Sequence, residues 1–553
     1  MPSRDKPLAL TATRRLDALA IIVLALIGAI AAATFRDYGL GWDDYTHSQY
    51  GDLLLSLYSS GWSDSRALSF VNLYEYGGGF DMLAALAAKI LPFDLFETRR
   101  LIGGAVGLLG LFVTWRLGRR LGGPLAGLIA LILLAACPLY YGHMFINAKD
   151  APFATAMAIA LIGIVRALDE YPHPSPPTVA LCGIGVGLAV GSRVMGGFAV
   201  IEALLAVLVV LAARWRQSGW KSASGECGSY LIALVPGAIL AYLVMGLVWP
   251  WSVVAPLNPF RAAEYFSHFF EKPWKELFDG RLIPVPDMPR SYLPTLFALQ
   301  LPVLMLALGL GGTLGALVTA VRADKGGVDN GGTVGRRAAL LATVLAAALP
   351  ILVTIAARPA MYNGIRQFVF VLPPFAVLGG LAGAWIARRL QRNGAGALAA
   401  GAVVLAAGVA FPVVAMVRIH PFEYTYFNRL IGGVAGARPL FMLDYWGLSL
   451  TQASRQLLAL VAQRSETPPP GGTWTVAVCG PHPPVEVAMG SRYTTTWNSA
   501  GADFAIMLGE FYCAKLDAPL LAQVVRDGVV YARVYDLRGR SISTLLSVPG
   551  IDD

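Results

Sequence analysis

Eleven apolar runs lie within the first 417 residues, and they constrain the fold more than any other feature of the chain. They cover residues 16–34, 101–117, 121–137, 151–168, 178–190, 198–213, 230–248, 294–321, 338–356, 368–386 and 396–417. At about 1.5 Å rise per residue the first reaches roughly 28 Å, enough to cross the hydrocarbon core of a bilayer. Hydrophobic residues make up 56% of the chain and charged residues 14%, where soluble domains carry about 45–50% and 25%. The fold class predicted is a polytopic α-helical membrane protein with about eleven transmembrane helices.

Charge orients the segments. Lys and Arg cluster at 116–120, 214–221, 322–337 and 388–392, and the N-terminus carries Arg4, Lys6, Arg14 and Arg15. Cytoplasmic loops carry such an excess. With eleven spans and a cytoplasmic N-terminus, every cluster falls inside, while loops 35–100 and 249–292 and the tail fall outside. The first apolar run is too long for a secretory signal core, so it is read as an uncleaved helix of a multi-pass plasma (inner) membrane protein. The net charge of +9 comes from these clusters. No basic stripe is interleaved with aromatics, so nucleic acid is not an expected partner.

The outer loops divide the remaining sequence. Residues 81–92 are apolar on one face and short, which places them at the membrane interface. From residue 418 onward the composition becomes that of a soluble domain, giving the division 1–417 and 418–553. Residues 447–464 have helical periodicity, and WTVAVCG, DFAIMLG and VVYARVYDL read as short buried strands. A small extracytoplasmic α/β domain is expected there. Of five cysteines, Cys137 and Cys182 fall in spans and Cys227 in a cytoplasmic turn. Cys479 and Cys513 share the outer domain, where an oxidising compartment permits a disulfide; two buried free thiols are the alternative. No Cys/His spacing resembles a zinc site.

Polar residues gather at the outer mouths of the spans. GWDDYTHSQYGD, residues 41–52, carries Asp43 and Asp44 just beyond the first span, where a charge is costly unless it has a task. If a helix begins here, Asp43 and His47 lie one turn apart on one face. Adjacent carboxylates raise one pKa, as a general base requires; the alternative is that Asp43 caps the helix. The second loop offers His143, Asn147, Lys149 and Asp150, where Asp150 also reads as a cap but a Lys–Asp pair suits phosphate binding and acceptor positioning. Arg193 in GSRVMGG and Arg366 in YNGIRQF stand at outer span ends and fit a phosphate's bidentate geometry, or snorkel to the interface. Tyr362, residues 249–251 and residues 265–270 either line a groove for a sugar or polyprenyl chain or belong to the interfacial aromatic belt.

This arrangement resembles the GT-C superfamily of glycosyltransferases, and within it the bacterial family-39-like enzymes related to protein O-mannosyltransferases and the aminoarabinose transferase. The residues that carry the resemblance are Asp43-Asp44, matching an acidic pair typically Asp-Glu; Asp150 in NAKDAPF, matching an acidic residue of the second outer loop; and the segments YNGIRQFVFVLPP, HPFEYTYFNRLIGG and DYWGLS. It covers about residues 16–450. Asp stands where Glu is usual in the pair, which shortens that carboxylate's reach, and no residues match the metal ligands of some relatives.

The resemblance implies a sugar donor on a polyprenyl phosphate and a lipid, glycan or protein acceptor, with membrane lipids around the fold. Asp43 would deprotonate the acceptor hydroxyl, with inversion at the anomeric carbon, and Asp44 and Asp150 complete the catalytic set. Arg366, Arg193 and Lys149 would stabilise the leaving phosphate, and His47, His143 and Tyr362 are the further substrate-binding candidates. The resemblance fixes no certain cofactor, and a divalent metal between carboxylates is compatible with it. Two rival classes are a transporter or flippase of a lipid-linked sugar and a non-catalytic assembly protein. Transporters show internal repeats and midplane sites, whereas here no repeat is evident and the polar residues sit at the outer mouths.

Overall fold

Several Gly and Pro residues mark the ends of the helices, although Pro236, Pro350 and Pro412 lie within them. The computed structural model describes residues 5–267, 274–321, 332–469 and 472–547. The first helix is α1 (Asp5–Thr34), followed in the first outer loop by α2 (Asp44–Ser59) and α3 (Gly79–Ala88). Helix α4 (Leu95–Gly122) ends at Gly123, whose φ of +86° turns the chain directly into α5 (Pro124–Ala135). Pro138, which lacks an N–H, opens α6 (Pro138–Ile146) at a 64° bend to α5. Then come α7 (Asp150–Asp169), α8 (Pro176–Ser192), α9 (Gly197–Ser218) and α10 (Trp220–Val248). Cys227 therefore lies inside α10 rather than in a turn, because the connection after α9 is only Gly219 at φ +79°.

The second outer loop carries α11 (Trp251–Val254), α12 (Asn258–Ser267) and an antiparallel hairpin of β1 (Lys275–Phe278) and β2 (Arg281–Pro284). Helices α13 (Tyr292–Gln300), α14 (Val303–Val321), α15 (Gly332–Ala357), α16 (Leu372–Arg392) and α17 (Ala395–Ile419) complete the bundle. Among the described residues nine helices are long and apolar enough to cross a membrane, ten if α5 and α6 form one bent span. The apolar α8, at 17 residues, corresponds to the remaining expected span. Positions 268–270 of the aromatic stretch and 322–331 of the basic cluster lie outside the described residues.

The bundle has two chemically distinct ends. At one, Arg119 pairs with Asp17 at 2.7 Å, Arg120 pairs with Asp169 at 2.7 Å, and Arg336 donates to the Arg120 carbonyl at 3.0 Å. At the other end lie the start of α2, the α6–α7 connection, the end of α8 and the start of α16. Helix α3 packs there with Asp81, Ala84 and Ala85 buried and Leu83 and Leu86 exposed, the two-faced pattern expected of an interfacial element.

Residues 420–447, including α18 (Gly433–Ala437), fold against the bundle rather than away from it. Asn428 Nδ2 donates to the carbonyls of Ala298 at 2.6 Å and Leu301 at 2.9 Å. Helix α19 (Ser449–Gln463) then begins a small α/β unit with α20 (His482–Met489). Its strands are β3 (Trp474–Cys479), β4 (Tyr493–Thr496), β5 (Phe504–Leu508), β6 (Leu520–Arg526) and β7 (Val529–Asp536), in the order β4-β3-β5-β7-β6. The three expected strands are the central β3, β5 and β7, whose side chains are mostly buried. β3 pairs in parallel with β4 and β5, and β7 runs antiparallel to β5 and β6. A disulfide joins Cys479 to Cys513 across a sequence separation of 34.

Candidate active site

A cavity of about 970 Å³ lies between the polar end of the bundle and the α/β unit. Its walls come from seven parts of the chain: the start of α2, the loop before α3, the α6–α7 connection, Trp274 and Lys275 at the start of the β1–β2 hairpin, the turn before residue 366, the 442–446 segment and the α/β unit. Asp43, His47, Lys149, Tyr362 and Arg366 line it.

The start of α2 is fixed by the neighbour of Asp43. Arg100 Nη1 donates to Asp44 Oδ1 at 2.9 Å, Nη2 donates to Oδ2, and the Gly41 N–H donates to Oδ2 at 2.7 Å. Asp44 is buried and spends its charge on this clamp. Asp43 occupies the N-cap position of α2, yet its side chain makes no capping hydrogen bond. Its carboxylate, 38% exposed, instead faces Lys149 Nζ at 3.8 Å. Burial opposes its ionisation, but the charges of Lys149, His47, Arg366 and Arg193 outweigh burial and hold its pKa below the ordinary value. Burial likewise pushes the Lys149 ammonium down, with Asp43 opposing it.

His47 is buried and aimed by a second carboxylate. Its Nδ1–H donates to Asp81 Oδ2 at 2.6 Å, and Arg99 Nη2 donates to Asp81 Oδ1 at 2.6 Å. Its Nε2 has no hydrogen-bond partner among the described residues.

Asp150 is not a cap. Asn147 Oδ1 takes the N–H groups of Lys149 at 3.0 Å and Asp150 at 2.7 Å, so Asn147 does the capping. The freed Asp150 carboxylate pairs with Arg193 at 2.8 Å and Arg366 at 3.5 Å and accepts from Asn147 Nδ2 at 2.8 Å. The two arginines that the sequence separates by more than 170 positions therefore meet on one carboxylate. Arg366 is held between the Tyr362 and Trp446 rings, each centroid 5.1 Å from its Cζ. Lys149 Nζ lies 4.7 Å from the Tyr76 ring centroid and Arg193 Cζ 5.7 Å. Gly77 makes this approach feasible: a Cβ there would stand 1.4 Å from the Gly191 carbonyl at the end of α8.

His143 lies behind the cavity wall, fully buried; Asn147 Nδ2 reaches its Nδ1 at 3.3 Å, and its Nε2–H donates to Tyr445 OH at 3.2 Å. Tyr445 belongs to the 444–447 turn, which Asp444 anchors by accepting from the N–H groups of Leu448 and Ser449 and from Tyr424 OH. Glu510 of the α/β unit accepts the Asp444 N–H at 2.7 Å, and Trp446 accepts the Trp42 N–H at 3.0 Å. This turn thus ties the α/β unit to the loop bearing Asp43.

The structure brings Asp43, His47, Lys149, Tyr362 and Arg366 to the cavity, sets Asp150, Arg193 and His143 behind it, and turns Asp44 away into the Arg100 clamp. Sequence reasoning missed Asp81, Arg99 and Arg100. A lone Asp in an apolar interfacial helix was the available signal for the first, because such a charge needs a partner. Among the described residues no three His, Cys, Asp or Glu side chains converge. With Asp44 and Asp150 engaged by arginines, the donor set does not fit a divalent ion held by protein groups alone.

Residues 79–241, under a third of the chain, match the family model described as dolichyl-phosphate-mannose-protein mannosyltransferase. No curated protein sequence matches the chain. ArnT from Cupriavidus metallidurans in the apo state is similar at 16% identity with a TM-score of 0.50, over 95% of this chain and 98% of that one. The same protein bound to undecaprenyl phosphate gives 16% identity and a TM-score of 0.49, over 95% and 99%. The Archaeoglobus fulgidus oligosaccharyltransferase in the apo form gives 13% and 0.47, over 89% of this chain and 70% of that one. The chain has the GT-C fold: a polytopic helical membrane protein with a small C-terminal sheet domain.

Proposed function

We propose that this GT-C-fold membrane protein is a glycosyltransferase that moves a sugar from a polyprenyl-phosphate carrier to an acceptor hydroxyl on a lipid, glycan or protein. The observation that carries the reading is the cavity: among the described residues Asp43 is the one carboxylate lining it, and Lys149 and Arg366 line it too. A base for the hydroxyl and cations for a phosphate thus share one chamber. The matched mannosyltransferase family model and the likeness to a protein that has been crystallised with undecaprenyl phosphate support the donor class.

In the proposed reaction the acceptor oxygen attacks the anomeric carbon. The new C–O bond forms as the bond to the phosphate oxygen breaks, and its electron pair leaves with the polyprenyl phosphate. The acceptor proton passes to Asp43. Because the Asp43 pKa is held low, the carboxylate stays ionised and accepts the proton late, once the hydroxyl has become acidic through bond formation. Lys149 and Arg366 stabilise the charge growing on the leaving phosphate, and Asp150 holds Arg366 and Arg193 in place. One carboxylate in the cavity favours direct displacement with inversion, since a covalent route needs a second as nucleophile. No step is derived through a metal.

The same reading assigns catalysis to residues 1–417 and an outer domain to 418–553. It sets the polar end of the bundle on the outer face of the inner membrane and the basic end in the cytoplasm, following the positive-inside rule.

The test incubates the purified full-length protein in detergent with a panel of polyprenyl-phosphate sugars and an envelope extract as acceptor source, and follows free polyprenyl phosphate by mass spectrometry. Release from one donor, with a matching mass gain on an acceptor, is expected. Transport of intact donor across proteoliposomes without cleavage would instead establish a flippase.

A further inference from the structure

The cavity has two chemically different walls, and the second has no part in the reaction described above. The bundle contributes Asp43, Lys149 and Arg366, whereas the α/β unit contributes no charged side chain among its described lining residues. Instead it presents Trp497, Asn498, Phe511, Tyr512, Ser543 and Thr544.

Trp497 is the unusual member. It is 69% exposed, although so large an apolar ring gains by burial. One face stacks on His482 at 3.9 Å between centroids, with 30° between planes. His482 is held in turn, its Nδ1 lying 3.0 Å from Thr495 Oγ1, which donates to Glu486 at 2.6 Å. Burial lowers the pKa of His482, so it backs the indole as a neutral ring. The result is a fixed aromatic plate with one face open.

Neutral hydrogen-bonding groups surround the plate. Asn498 Oδ1 accepts the Ala500 N–H, leaving its amide NH₂ available, and Thr544 Oγ1 accepts the Leu546 N–H, leaving its hydroxyl proton. The disulfide holds the segments together: Cys479 ends β3, and Cys513 follows Tyr512 and bridges to Leu546.

We propose that this wall is the acceptor subsite and that it binds an uncharged, hydroxylated sugar ring stacked on Trp497. The proposal rests on the transferase reading and extends it to the class of acceptor. A pyranose offers an apolar C–H face to the electron-rich indole face and a rim of hydroxyls to Asn498, Ser543 and Thr544. An anionic ligand would find no cation on this wall and a better site opposite. A polyprenyl chain would cover the amide and hydroxyls without satisfying them.

The test uses full-length protein in nanodiscs with two separate readouts. Saturation-transfer NMR reports binding of methyl α-D-mannopyranoside, methyl α-D-glucopyranoside and glucuronate, and a lipid-competition assay reports binding of undecaprenyl phosphate. Neutral glycosides are expected to bind and glucuronate not to. Trp497→Ala is expected to weaken the glycosides roughly tenfold, Trp497→Phe to keep most of the affinity, and both to leave undecaprenyl phosphate within about twofold. Glycoside binding unchanged in Trp497→Ala overturns the subsite, as does binding of undecaprenyl phosphate without any neutral glycoside. A peptide that displaces the glycosides and binds more tightly overturns the sugar assignment. Failure of the wild type to bind undecaprenyl phosphate would count instead against the transferase reading.

Discussion

Two adjacent aspartates in one tetrapeptide have opposite fates, and the difference follows from where their neighbours stand. Asp44 meets a guanidinium fork and a backbone N–H, both buried, so its charge is consumed in holding α2 against α4. Asp43, one position earlier, meets a lysine across an open cavity. Removing one partner of a buried pair costs on the order of 3 kcal/mol, because the other charge is left uncompensated. Asp44→Asn should therefore lower thermal stability clearly in a detergent melting assay, while Asp43→Asn should leave the melting temperature near wild type. Equal melting temperatures for the two variants would contradict the assignment of Asp44 as a structural clamp. The sequence could not separate the two residues, since the decisive partner, Arg100, lies 56 positions away.

At the scale of elements, the apolar runs were legible because each is long and bounded by Gly, Pro or charge. The hairpin in the second outer loop was missed although its signal was present. Asp279 and Gly280 both have positive φ, as an Asp-Gly turn between two strands requires. The aromatic residues around it drew the reading toward a groove instead. Edge strands β4 and β6 were missed because they are half-exposed and lack the continuous apolar runs of β3, β5 and β7.

The hairpin also shapes the site. Glu276 on β1 accepts the Asn363 N–H at 2.7 Å and the Tyr292 hydroxyl at 2.9 Å, which fixes the turn that delivers Arg366. Burial raises its pKa to about 7, despite those hydrogen bonds and Arg366. A carboxyl whose folded pKa lies above its unfolded value of 4.5 contributes stability in full below 4.5 and loses it as pH rises through about 7. Glu276→Gln keeps the shape without the titration. Across pH 4.5–7.5 the wild-type melting temperature should fall more than that of the variant; parallel curves would remove Glu276 from this role.

For the whole molecule, the sequence located most of the candidate site but not its enclosure. Polar residues at span mouths marked Asp43, Lys149, Asp150, Arg193 and Arg366, because each needs a reason to stand at a membrane boundary. The α/β unit gave no such cue: its wall of the cavity is uncharged, and its contact through Glu510 and the 444–447 turn is a tertiary fact. The account rests on one chamber that binds a lipid phosphate and deprotonates an acceptor. The measurement that tests it most directly compares wild type with Asp43→Asn for two quantities on the same preparation: binding of the polyprenyl-phosphate sugar and release of polyprenyl phosphate. The account predicts that the variant binds donor within a few-fold of wild type and releases none above background. Release at the wild-type rate by a folded Asp43→Asn protein would contradict it.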